Sequence, residues 1–326
     1  FIGGIFQIWI GKMLKPIRHM FPPLVTGIVV LMIGISLLKV GFKYAGGGVW
    51  LMNNKPEIFG NWEHLTIAGT VLIVALLTNL RGKGMVSAAS ILIGIIAGFI
   101  VAAMLGEVRW GKIAAADWFA FPMPLQYGID FVWGAVILML FMSIVTTIET
   151  IGDISATTMG GANREATNKE LSGGIMADGV GTAFASIFNA MPNTSYSQNA
   201  GLVAFTGVIS RHVGTVAGVI LILLGLFPKL GGIIAAMPDS VIGGAAIIMF
   251  GLIAGAGIKL ISKSEMSQRN ILILALSLSF GIGLYAFPEF VAHIPDFGIK
   301  LKLLLTTGLI PAGMLAFILN AILPKK

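Results

Sequence analysis

Cysteine is absent from all 326 residues, and Asp, Glu, Lys and Arg together make only 11% of a chain that is 56% hydrophobic. The first absence excludes disulfides and thiolate metal sites. The second excludes an ordinary soluble globule, whose surface needs far more charge. What remains is an all-α polytopic membrane protein. Acidic residues number 14 against 21 basic ones, and the net charge of +7 is read as basic flanks of membrane spans, not as nucleic-acid contact. Glycine, in contrast, is plentiful at 43 residues, and the spacings Gly94/Gly98, Gly214/Gly218 and Gly251/Gly255 suit close helix approach in lipid. No signal peptide is visible: Phe1 opens inside an apolar run with no Met, so the chain is expected to begin within a helix, with an upstream part missing.

Runs long enough to cross a hydrocarbon core of roughly 30 Å are expected at residues 24–40, 65–80, 85–105, 129–150, 173–191, 213–227, 241–258, 271–287 and 301–323, with residues 1–11 as the tail of another. Between Pro192 and Arg211 the hydrophobicity is too short and interrupted for a full span, which predicts an extended segment followed by a half-helix. Broken helices are tolerated at membrane depth where the freed backbone is buried in protein or lines a cavity, the pattern of a transport site. Placing residues 12–20 in the cytoplasm puts thirteen of the 21 basic residues inside and eight outside, a bias of the right sign. The segment from Glu107 to Gly128, with Trp110, Trp118, Phe119 and Phe121, suits an outer interfacial helix. A faint internal repeat aligns Pro22, Val25, Gly27, Gly41 and Lys43 with Pro238, Val241, Gly243, Gly257 and Lys259. The two segments run in opposite directions across the membrane, as in inverted-repeat transporters.

Three acidic residues fall within spans: Glu149, Asp153 and Asp178. A carboxylate there is costly and by default faces a cavity. The spacing in "ETIGD" sets Glu149 and Asp153 one turn apart on one helix face, with Gly152 between them leaving room for a ligand or a neighbouring helix. Two plainer readings stand beside this one: Asp153 ends its helix in solvent, and Asp178 is only a structural hydrogen-bond partner. In "NTSYSQNAG", Gln198 begins the half-helix and offers an acceptor and a donor together, which complements the O=C–N–H edge of a nucleobase. Glu149 complements ring N–H donors. No nucleophile–base set and no metal-ligand cluster is evident, so an enzyme is not expected.

At these residues the chain resembles the nucleobase-ascorbate transporter family. Its signature, Gln or Glu followed by Asn-x-Gly-x4-Thr, is read as Gln198, Asn199, Gly201 and Thr206, preceded by "MPNTSYS" and, upstream, by "ETIGD". The resemblance covers essentially the whole chain. It implies an inverted-repeat transporter with core and gate domains and a broken helix preceded by a short strand: residues 1–20 and 129–236 in the core, 21–128 and 237–326 in the gate. Asp at 153 and Gln at 198 are similar to the xanthine and uric acid type; the uracil type carries His and Glu. By this resemblance Glu149, Gln198 and Asn199 bind the substrate, Asp153 and Asp178 support coupling or the site, and Thr206 and Gly207 tune specificity. Further implications are a purine nucleobase substrate, proton or sodium symport by alternating access without other cofactors, a homodimer through the gate domain, and a multi-pass location in the cytoplasmic (inner) membrane. A uracil permease, or an anion transporter of related fold, are the alternatives. The family's third segment supplies an aromatic side chain over the base and a strand facing residues 193–197; neither is in this sequence.

Overall fold

The computed structural model describes residues 1–14, 22–196, 199, 203, 207–293 and 301–324. Its main helices are α1 (Ile2–Lys12), α2 (Pro23–Ala45), α3 (Trp62–Arg81), α4 (Ser90–Met104), α5 (Trp133–Ala162), α6 (Asn168–Ile187), α7 (Arg211–Gly225), α8 (Pro228–Ala236), α9 (Asp239–Ile261), α10 (Gln268–Ala286) and α11 (Leu309–Ile322). Local chemistry sets several of these starts. Asn61, Thr167, Ser210 and Ser267 each accept a hydrogen bond from a first-turn amide of α3, α6, α7 and α10, satisfying donors that a helix leaves orphaned. Pro228 opens α8, where its missing N–H costs nothing.

Among the described residues five helices are long and apolar enough to span a membrane: α2, α3, α5, α9 and α10. The bent pair α7 and α8 makes a sixth if counted as one span; its axis turns by 81° at the break. The expected runs therefore need several corrections. Residues 85–105 split into Met85–Ala88 and the shorter α4, and residues 301–323 split into Leu301–Thr306 and α11 at Gly308, whose φ of +69° no continuing helix can adopt. The run at 173–191 is a helix, α6, but is less apolar than these five because Lys169, Glu170, Asp178 and several glycines lie along it. The predicted interfacial segment does contain a short helix, Trp110–Ala115, with Trp110 and Trp118 exposed.

No strand occurs among the described residues, and residues 193–196 of the short strand expected at 193–197 do not form one; Ser197 lies outside the described residues. Residues 191–196 have no regular structure. A strand needs a ladder partner, and here the side chains of Asn193, Thr194 and Ser195 bond to α5 and α6 instead. Beyond them, Asn199 and Val203 are helical, while residues 207–210 are not.

The chain packs as two compact units, Phe1–Ser36 with Met123–Ile209 and Ile253–Lys326, and Leu37–Pro122 with Ser210–Leu252. The first is built on Leu24, Ile28, Met32, Ile148, Ile273 and Ala312, with a satellite of Leu14, Ala166, Leu171 and Ile175. The second is centred on Ile67, Val71, Ala102, Val241 and Ala245. Because lipid tails are as apolar as leucine, such contacts bind through close packing and not through water release. That makes α1 against α6 informative. A side chain at Gly4 would sit 2.6 Å from the Gly179 carbonyl oxygen, and one at Gly179 would sit 2.7 Å from that of Gly4. The two backbones touch. Ser143 and Ser172 add hydrogen bonds to the carbonyls of Gly3 and Gly11, at 3.0 and 2.7 Å.

Gly179→Ala should therefore lower stability by about 1–3 kcal/mol, the cost of overpacking, read as a reduced melting temperature in detergent. Gly173→Ala on the same helix, where nothing lies within 4 Å, should leave it unchanged or slightly raised, since Ala favours a helix.

At the α6 entry, Glu170 closes a capping box with Thr167 and receives both Arg164 nitrogens, at 2.6 and 2.9 Å. The Arg164 hydrogen bonds, then those from Thr167, hold its carboxyl below the usual carboxylate range. A depressed folded-state value means stabilisation that is present at neutral pH and lost as pH falls below about 4. Amide exchange at residues 168–171, corrected for intrinsic rates, should accelerate on acidification in the native protein and be insensitive to pH in Glu170→Gln.

Candidate functional site

The site is built on α5. From Trp133 the helix continues without interruption to Ala162, so Asp153 lies inside it and does not end it. Glu149 and Asp153 are both half-buried and one turn apart. Asp178 stands on α6, 8% exposed.

The polar segment after α6 meets these three carboxylates one residue at a time. Asn193 Nδ2 donates to Asp178 Oδ1 at 2.7 Å, the Thr194 hydroxyl donates to Glu149 Oε2 at 3.1 Å, and the Ser195 hydroxyl donates to Asp153 Oδ2 at 2.5 Å. Three consecutive residues thus answer what compensates for placing so many polar groups in so apolar a chain. Each bond involves an ionisable acceptor, the stronger kind of hydrogen bond. Asp178 is further supplied at Oδ2 by Gln7 Nε2 at 2.6 Å and the Thr150 hydroxyl at 3.1 Å. Thr182 donates to Asn193 Oδ1 at 2.9 Å. Gly181 makes room for that amide, since a side chain there would come within 2.9 Å of it.

Among the described residues Glu149 Oε1 accepts no hydrogen bond, although Oε2 does. It is an acceptor on a partly accessible carboxylate. Gly152 beside it has nothing nearer to its missing side chain than Leu260 and Thr26, each at 3.9 Å. The ion pairs among the described residues, Arg109–Asp239 and Arg164–Glu170, lie outside this cluster, and no group of three or more His, Cys, Asp or Glu side chains is placed to hold a metal among those residues. The arrangement offers carboxylate acceptors lined by hydroxyls and amides, which suits a neutral solute with N–H donors.

Of the residues singled out from sequence, Glu149, Asp153 and Asp178 come together around one segment. Asn199 is exposed, its backbone N–H donating to the Tyr196 carbonyl at 3.0 Å. Gly207 has φ +69° and open space around it, with its amide 2.7 Å from the Val203 carbonyl. Gln198 and Thr206 lie outside the described residues. Sequence reasoning missed Gln7, Thr150, Thr182, Thr194 and Ser195 as partners. Only Gln7 left a signal: it is the one amide side chain in the apolar helix "IGGIFQIWIGK".

A family model described as a permease family matches residues 1–290. The chain is 38% identical over 325 residues to a putative purine permease of Clostridium perfringens, covering all of this chain and 70% of that protein. It is 36% identical over 331 residues to the xanthine permease XanP of Escherichia coli strain K12, again covering all of this chain and 70% of the relative. To the uric acid permease PucJ of Bacillus subtilis it is 34% identical over 321 residues, covering 98% of this chain and 70% of the relative. With the family and these relatives all permeases, and with five or more helices able to cross a membrane, the chain belongs to the nucleobase-ascorbate transporter family and is a multi-pass membrane transporter, not an enzyme.

Proposed function

We propose that this protein imports a purine nucleobase, xanthine or uric acid, by cation symport with alternating access. The observation that carries the reading is the carboxylate of Glu149: Oε2 is held by Thr194, while Oε1 accepts no hydrogen bond from the described residues and is offered to an N–H of a ligand. A dioxopurine has such donors and a planar shape. It would lie beside Gly152, where the helix has no side chain to obstruct it. Asn199 and Gln198 supply amide groups for the base edge, Thr206 and Gly207 tune the fit, and Asp153 with Asp178 serves coupling or the frame of the site. The xanthine and uric acid permeases among the relatives support this substrate class.

Rocking of a core (residues 1–20 and 129–236) against a gate (21–128 and 237–326) would alternate access. Packing is in keeping with an inverted repeat. Gly27 abuts Ile261 and Gly243 abuts Ala45; Gly41 abuts Ile247 and Gly257 abuts Leu31. The alignment that sets Pro22 on Pro238 exchanges the members of each pair of contacts, as a two-fold relation would. Proton or sodium coupling, through Glu149 or Asp153, and a homodimer through the gate segments complete the reading.

Cells making the permease should accumulate radiolabelled xanthine, with unlabelled xanthine and urate competing and uracil and sulfate not; competition by uracil or sulfate alone would replace this substrate class. Glu149→Gln keeps the shape and the Thr194 bond but loses the charge-assisted contact, so xanthine binding should fall at least about tenfold with the protein still in the membrane. Near-normal binding would remove Glu149 from the site. Gly152→Ala places a methyl in ordinary contact with Leu260 and Thr26, and Ala favours a helix by about 0.5–1 kcal/mol. It should leave thermal stability intact or raised while raising the xanthine KM several-fold; an unchanged KM would mean that the base does not approach this face.

A further inference from the structure

Gln7 is 171 positions from its partner and belongs to none of the motifs that identify the family. Its side chain is 2% exposed. It sits on α1, whose contact with α6 is so close at Gly4 and Gly179 that the registry of the two helices is fixed by backbone collision. At that registry Gln7 Nε2 lies 2.6 Å from Asp178 Oδ2. Asp178 in turn holds Asn193 through its other oxygen, at 2.7 Å. Asn193 is the first of the three residues whose side chains reach the carboxylates, and the next two, Thr194 and Ser195, contact Glu149 and Asp153. A continuous set of bonds thus links the middle of α1 to the acceptors of the candidate site.

We propose that Gln7 is a positioning residue for substrate recognition: by orienting Asp178 it fixes Asn193, and through Asn193 it sets where Thr194 and Ser195 hold Glu149 and Asp153. The inference rests on the purine-transport reading, though its geometry does not. A carboxylate can accept at several lone pairs, so its orientation is fixed only when donors approach from different sides. Asp178 has Asn193 on one oxygen, and Gln7 with Thr150 on the other. Removing Gln7 leaves Thr150, at 3.1 Å, as the sole described donor on Oδ2. Asp178 is then free to rotate toward Thr150 or to draw Asn193 across, and the segment following Asn193 moves with it. Leu at position 7 keeps the volume near that of Gln and has no donor; Asn keeps the amide but falls short by one methylene.

The test uses the whole permease in its membrane, with Gln7→Leu and Gln7→Asn compared to the native protein at matched membrane abundance. The expected result for both is a xanthine KM raised about tenfold, the size of one lost buried hydrogen bond to a charged group, with an altered ranking of xanthine against urate and methylated xanthines. A residue that merely supported folding would lower abundance and, once abundance is matched, leave KM and ranking untouched; that result overturns the proposal. So does failure of both variants to accumulate, which would make Gln7 a folding residue. A second readout does not depend on transport. These 326 residues have no cysteine; with any cysteine elsewhere in the whole permease replaced, Tyr196→Cys, at an exposed position, reports on the segment by its rate of thiol labelling. That rate should rise severalfold when Gln7→Leu is added, and an unchanged rate would contradict the relay. Should the native permease carry no purine at all, the labelling result still decides whether Gln7 holds the segment, while the substrate reading falls by itself.

Discussion

A carboxylate enclosed in a protein that is itself enclosed in lipid must be given hydrogen-bond donors, because neither medium supplies water. Asp178 meets that demand with three: Gln7 from α1, Thr150 from α5 and Asn193 from the segment after α6. The rest of the first unit is arranged around this requirement. α1 must touch α6 for Gln7 to reach, α5 must present Thr150 on the face adjoining the one that carries Glu149 and Asp153, and the chain after α6 must remain irregular so that its side chains, not its backbone, make the bonds. Once Asn193 is seated, Thr194 and Ser195 meet the other two carboxylates.

Small residues make this possible. Helices in lipid gain little from burying leucine, so their association depends on dispersion and on hydrogen bonds at short range. Gly4 and Gly179 let α1 and α6 meet at their backbones, Gly181 gives the Asn193 amide its seat, and Gly27, Gly34 and Gly257 bring α2 and α9 together within the first unit. Each larger residue at these points would move a helix by more than a hydrogen bond tolerates. Polar contacts and small residues are therefore one device: the second sets the distance at which the first can form.

Much of this was legible in the sequence, and the reasons are local. Charge scarcity marked the membrane class, the spacing in "ETIGD" put Glu149 and Asp153 on one face of α5, and the polar run from Asn193 marked a break in the helical pattern. Family motifs then located the candidate site. The errors and omissions were of a different kind. The end expected near Phe227 matches the bend between α7 and α8, which Pro228 marks, whereas the break before Ser90 has no proline to announce it. The predicted strand is absent at residues 193–196 because no backbone partner stands beside them among the described residues. Gln7 and Thr150 were missed because a hydrogen bond between residues far apart in the chain has no periodicity to betray it. An isolated amide in an apolar helix is the one clue that composition could have given. Gln198 and Thr206 lie outside the described residues, and their roles rest on the family motif.

The central claim is that Glu149, held on one oxygen by Thr194, receives the substrate on the other. An experimental structure of the permease with xanthine bound tests it most directly. The account predicts a planar density beside Gly152, with a ring nitrogen within roughly 3 Å of Glu149 Oε1 and the Thr194 and Ser195 contacts retained. Xanthine bound elsewhere, with both Glu149 oxygens turned to protein donors, would contradict it.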